Sequence, residues 1–195
     1  ETNRQICGRI RQFYEQNGDI NAFGQPLSSQ QAEVVEGRSF QAQWFERGRL
    51  ELHPENLPPY DVLLGRLGAE SLGRAGQAWT SFPAASQNAP FFFDRTRQAI
   101  APEFWNYWSS RGLNFDNNGA SSFEESLALF GYPISGALRE RASDGRTYLT
   151  QWFERARFEY HPEASVPNQV QVELFGTKLL PATTAPATAY PAPTP

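Results

Sequence analysis

A thirteen-residue block occurs twice in this chain. Residues 43–55 read QWFERGRLELHPE and residues 151–163 read QWFERARFEYHPE, with ten of the thirteen positions identical. The alignment runs without a gap from Gly37/Gly145 through Leu72/Leu180. A self-match of this kind predicts a tandem repeat, in which one small unit buries more surface by packing on its neighbour. It also sets the order of explanation. A residue present in both copies is assigned first to folding of the unit, and only what remains is a candidate for chemistry.

A chain of 195 residues suits one or two small domains, and repeats of roughly 70–90 residues each bury a modest core. Aromatic residues make up 14% of the chain, enough to fill small cores built on short strands. The net charge of −4 argues against nucleic acid and gives no attraction to anionic lipid. No apolar run is long enough to span a bilayer. The chain begins at Glu1 and lacks Met, as expected of a secreted protein after removal of its signal or of a piece of something larger. A single cysteine, Cys7, excludes an internal disulfide framework. Its counterpart is Ala101, so the expectation is a small buried side chain; an intermolecular disulfide or a lipid anchor are the alternatives.

Each unit is expected to open with a short helix. Ile6, Ile10, Phe13 and Tyr14 form one apolar stripe, with Thr2 as N-cap and Gly18 as stop; Thr96, Ile100, Phe104, Tyr107 and Trp108 repeat it, ending at Gly112. FGQPLS (23–28) and FGYPIS (130–135) read as extended turns. About thirteen extra residues in copy two, around 114–129, contain FDNNG, read as a plain turn, and a capped helical turn. A hairpin follows, with Phe40, Ala42 and Trp44 facing one way and Ser39, Gln41 and Gln43 the other, a turn at 46–49, and a return strand at 50–53. Val62, Leu64, Leu67 and Gly68, or Val170, Val172, Phe175 and Gly176, close the unit. The predicted class is therefore α+β: two tandem repeats, each a short helix plus a small antiparallel sheet. The divisions are 1–72, a linker and Phe-rich segment at 73–93, 94–180, and an extended Pro/Ala/Thr-rich tail at 181–195 whose Thr183, Thr184, Thr188 and Thr194 suit O-glycosylation.

The series FGxPxS, then GR, QWFERxRxExHPE and LLGxLG resembles the LGFP-like repeats of bacterial secreted and cell-wall proteins, in the long form seen in filamentous green bacteria and their relatives. The matching residues are Phe23, Gly24, Pro26, Gln43, Phe45, Glu46, Arg49 and His53, with Phe130, Gly131, Pro133, Gln151, Phe153, Glu154, Arg157 and His161. The resemblance covers residues 1–72 and 94–180. It implies an extracellular, non-catalytic envelope module, often beside peptidoglycan-amidase domains, and carries over no catalytic residue or cofactor. The family's opening TGH is absent; Thr2-Asn3-Arg4 and Thr96-Arg97-Gln98 stand there.

Little in the chain reads as catalytic machinery. The two histidines, His53 and His161, are expected to bond the turn of their own unit, since Glu51 and Glu159 at two-residue spacing are too few ligands for a metal. Glu46 and Glu154 lie among Arg47, Arg49, Arg155 and Arg157, which suggests surface ion pairs. No nucleophile elbow, phosphate loop or zinc-protease helix occurs. Phe23, Pro26, Trp44, Glu46, Arg49 and His53, with Phe130, Pro133, Trp152, Glu154, Arg157 and His161, define the unit structurally. Two functional readings follow. One is a structural subunit of a surface layer or filament, partnered by its own copies or other envelope proteins, in which the tail adds as a strand to an adjacent chain. The other is a wall- or glycan-binding module using Trp79, Trp105, Tyr132 and Tyr160 as an aromatic surface.

Overall fold

Residues 4–142 and 144–181 are described by the structure, a computed structural model. Helix α1 (Gly8–Gln16) is followed by the short helix α2 (Asp19–Phe23). Strands β1 (Gln31–Val35), β2 (Arg38–Trp44), β3 (Arg49–Leu52) and β4 (Val62–Leu64) pair antiparallel in chain order, and α3 (Leu67–Arg74) leaves the sheet. A ribbon of β5 (Phe92–Phe93) and β6 (Gln98–Ala99) leads to α4 (Pro102–Ser109) and α5 (Phe123–Phe130). Strands β7 (Leu138–Arg141), β8 (Thr147–Trp152), β9 (Arg157–Tyr160) and β10 (Val170–Val172) form a second antiparallel sheet, again in chain order, followed by α6 (Phe175–Leu179). The fold is α+β, with small antiparallel sheets and short helices.

Several elements differ from expectation. Ile6 lies outside α1, whose N-cap is Cys7, and Thr2 lies outside the described residues. Cys7 is exposed, because it precedes the first helical turn and contributes its carbonyl to Arg11 rather than a packed side chain. Thr96 and Ile100 precede α4; Pro102, whose fixed φ suits the first helical position, sets that start. The hairpin turn ends one residue early. Phe45 and Gly48 exchange backbone bonds across it, so Arg49 belongs to β3. The two-residue alternation of β2 fails at Ala42-Gln43-Trp44, all buried, because the segments before α1 and after Pro26 cover the second face of the strand. β1 and α2 have no counterpart in the sequence reading; β1 is an edge strand with only alternate half-burial.

Three apolar clusters hold the molecule together. Ile10, Phe13, Phe23, Phe45, Leu50 and Val62 fill the first lobe, and Phe104, Trp108, Phe130, Phe153 and Phe158 the second. Trp44, Leu67, Leu72, Ile134, Trp152, Phe175 and Leu179 form a cluster drawn from both lobes. Burying a side chain of this size contributes about 1.5–3 kcal/mol, so the shared cluster is a substantial fraction of the stability of so small a protein.

The lobes are also interlocked through backbone. At the start of α3, the Gly68 and Ala69 N–H groups donate to the Glu154 carbonyl in the opposite hairpin turn, at 3.0 and 3.2 Å. At the start of α6, Gly176 and Thr177 donate to the Glu46 carbonyl, at 3.0 and 3.3 Å. A Cβ on Gly68 would stand 2.0 Å from the Phe153 oxygen, and one on Gly176 would stand 1.6 Å from the Phe45 oxygen. Both glycines occupy matching positions of the two copies, so the exchange is reciprocal. The first-turn N–H groups of each helix, which lack helical partners, are satisfied by the other lobe.

Candidate functional site

The residues common to both copies are engaged within the fold. Gly24 and Gly131 terminate α2 and α5 with positive φ, where a Cβ would collide with the side chain of Glu46 or Glu154. Those carboxylates accept the N–H of Gln25 and Tyr132, at 2.9 and 3.1 Å, and pin the FGxP loop to the hairpin turn. Phe23 and Phe130 are core residues, and Pro26 and Pro133 bridge to Phe45 and Phe153. Ser28 and Ser135 accept the N–H of Trp44 and Trp152. The Gln43 amide donates to the Gln5 and Ser28 carbonyls, and that of Gln151 to Ala99 and Ser135.

Arg49 and Arg157 do not form the surface pairs expected of them. Arg49 is 3% exposed and donates to Glu51 and Glu70, with Trp44 beneath its guanidinium at 4.9 Å. Arg157 is held by Glu140, Glu159 and Glu173, and lies 5.4 Å from the Trp152 ring. The indoles of Trp44 and Trp152 donate to Glu33 and Glu140. Arg49 is buried in β3 against Glu70 of α3, and Arg157 in β9 against Glu140 of β7 and Glu173 ahead of α6. Burial raises the Glu140 carboxyl, but bonds from Trp152, Thr150 and Arg157 outweigh it and hold it below its ordinary value.

Each histidine bonds one carboxylate of the strand before it and one of the turn that follows it. His53 lies between Glu51 and Glu55, with ring nitrogens at 3.5 and 3.1 Å, and packs on Phe40; His161 lies between Glu159 and Glu163, at 3.3 and 3.2 Å, on Tyr148. Among the described residues, no group of three or more His, Cys, Asp or Glu side chains is disposed to hold a metal ion. No helix among the described residues is long and apolar enough to cross a membrane. FDNNG is a turn closed by Asp116 and Asn118, and α5 carries a full capping box of Ser122 and Glu125.

The four aromatic candidates do not meet at one place. Trp79 packs against the shared cluster, and Trp105 stacks on Phe91 at 3.9 Å. Tyr132 contacts Phe93 and borders a hollow of about 360 Å³. Tyr160 is half-buried on the second core, bordering a smaller hollow with Val166 and Pro167. Thr183, Thr184, Thr188 and Thr194 lie outside the described residues, as does the tail beyond Pro181.

A cleft of about 700 Å³ lies between the lobes, and a second hollow of about 740 Å³ is lined by the Arg157 ion-pair residues Glu140, Glu159 and Glu173. Matching residues of the two copies line the cleft: Phe23 and Phe130, Arg47 and Arg155, Leu64 and Val172. Tyr107 and Arg111 complete one wall, with the Arg111 guanidinium 3.9 Å from the Tyr107 ring. Sequence reasoning assigned Arg47 and Arg155 to ion pairs and passed over Arg111. The available signal was that Arg111 stands where the first copy has Asn17, a departure the repeat itself does not explain. No family model, characterised protein or solved structure matches this chain.

Proposed function

We propose that this chain is a non-enzymatic module of the extracellular bacterial envelope, built as a duplicated unit, whose work is attachment to cell-wall polymer. One observation carries the reading. The side chains common to both copies that possess chemical reactivity are occupied within the lobes, while the inter-lobe cleft is left lined by groups that bind rather than react. Arg, Tyr, Asn and Ser at the mouth of an apolar-floored hollow of this volume are what a small-ligand site requires. The resemblance of the repeated block to LGFP-like repeats supports the secreted location. Co-sedimentation with purified cell wall and wall polysaccharide tests it: the intact chain is expected in the pellet with wall material, and a chain left wholly in the supernatant would contradict the reading.

A second reading, a structural subunit of a surface layer or filament, draws support from the open edge of β1, where Val34 is 75% exposed. An unpaired edge accepts an added strand, and residues 181–195 of a neighbouring chain are the proposed donor. The reciprocal lock between lobes closes on itself and offers no open-ended contact, so polymerisation would use this edge. Negative-stain imaging of the chain with and without residues 181–195 separates the two: filaments lost on truncation favour assembly, and monodisperse particles in both favour attachment.

A further inference from the structure

The inter-lobe cleft is electrostatically unlike the rest of the molecule. The chain carries a net charge of −4, yet no Asp or Glu among the described residues lines this cleft, and Arg47, Arg111 and Arg155 do. Arg47 and Arg111 make no ion pair among the described residues. Arg47 donates to the Ile20 carbonyl and Arg111 to the neighbouring Ser110 hydroxyl. Arg155 donates Nε to the Leu64 carbonyl of the opposite lobe and meets its nearest carboxylate, Glu154, at a long 3.4 Å. Arg47 and Arg111 are half-buried, and a guanidinium stays charged in proteins, so partial desolvation without a counter-ion is a cost that an incoming anion relieves.

The positive groups converge from both lobes. Burial raises the Tyr107 phenol above its ordinary value against the opposing pull of Arg111, on its own lobe, and Arg47, on the other. Burial lowers the Arg155 guanidinium, with Glu154 offsetting only part. Around these charges stand neutral hydrogen-bonding groups, Asn21, Ser121 and Gln171 among them, over an apolar floor that includes Leu129. Planar guanidiniums bind carboxylate and phosphate oxygens in forks, whereas amides and hydroxyls suit sugar hydroxyls.

Resting on the attachment reading, we propose that this cleft is the binding site and that its ligand is an acidic sugar, with the anionic group held between Arg47 and Arg111 and the sugar hydroxyls met by Asn21, Ser121 and Gln171. Titration calorimetry of the intact chain at low salt tests it with four probes: trigalacturonate (carboxylate), glucose 1-phosphate (phosphate ester), maltotriose (neutral) and inorganic phosphate (bare anion). At least one anionic sugar is expected to bind, more tightly than maltotriose and inorganic phosphate, and which one binds identifies the anionic group. Arg47→Gln and Arg111→Gln should each raise the Kd on the order of tenfold or more. Arg139→Gln, an exposed arginine of β7 away from the cleft, should leave it unchanged with the same thermal midpoint. Equal binding of maltotriose, binding no tighter than inorganic phosphate, loss of affinity in Arg139→Gln as well, or no binding by any probe would overturn the assignment. If Arg47→Gln and Arg111→Gln still co-sediment with wall polymer as the native chain does, the cleft is not the site although attachment stands. If the native chain does not co-sediment, attachment itself fails.

Discussion

Arg157 shows how little of the repeated block is available for chemistry. Its guanidinium is 6% exposed and ringed by Glu140, Glu159 and Glu173. Removing it leaves three carboxylates facing one another around an empty centre. Arg157→Gln is therefore expected to cost about 3–5 kcal/mol, read as a fall in the urea midpoint. His161→Gln removes a ring that bridges Glu159 and Glu163 and packs on Tyr148, and should cost about 1–2 kcal/mol while leaving wall co-sedimentation unchanged. The same carboxylates set an acid limit. Glu140 is held low as described. Asp61 is lowered by its bond from Arg9. For Glu125, burial acts upward, but the Ser122 and Phe115 N–H groups outweigh it. Folded values lie below unfolded ones, so the unfolded chain binds more protons in this range. The stabilisation is complete above the ordinary carboxylate value of about 4.3 and drains away as pH falls through the lower folded values. Thermal midpoints should be level from about pH 7 to 5 and drop below about pH 4; a midpoint that rises on acidification would contradict the assignment.

The short helices and loops divide into what the sequence displayed and what only three dimensions supply. The hairpin was legible because Phe40, Ala42 and Trp44 alternate, and the α5 cap because Ser122 and Glu125 stand three apart. Burial of Arg49 and Arg157 was not, since a charged residue beside a turn looks the same in sequence whether a helix covers it or not. Nor was the role of Gly68 and Gly176: a glycine repeated at matching positions signals close approach, but not to what. The structure assigns that approach to the opposite lobe's hairpin carbonyls. Gly176→Ala should therefore destabilise by at least about 3 kcal/mol, since neither backbone can yield easily. Gly73→Ala, also in a helix C-terminal to its sheet but with open space around it, should be neutral or stabilising by up to about 1 kcal/mol. Equal effects would mean the close approach carries no stability. The cleft was the least legible part of the site, because Arg47, Tyr107, Arg111 and Arg155 are scattered over more than a hundred positions and meet only when the lobes close.

For the molecule as a whole, the two lobes form a closed pair. Each sheet feeds a helix into the other lobe's turn, and the indole and aliphatic surfaces of both lobes meet in one cluster. Between the lobes the pair leaves the arginine-lined cleft open. Whether the two copies behave as one body decides the rest, because a cleft assembled from both lobes binds only if they stay together. Native-state hydrogen exchange at four amides, Gly68, Ala69, Gly176 and Thr177, reads this directly. These amides should exchange as slowly as those of the central strands β3 and β9, opening only when the whole protein unfolds. Fast exchange at these four while β3 and β9 remain protected would mean that the lobes part freely, and the shared lock would be wrong.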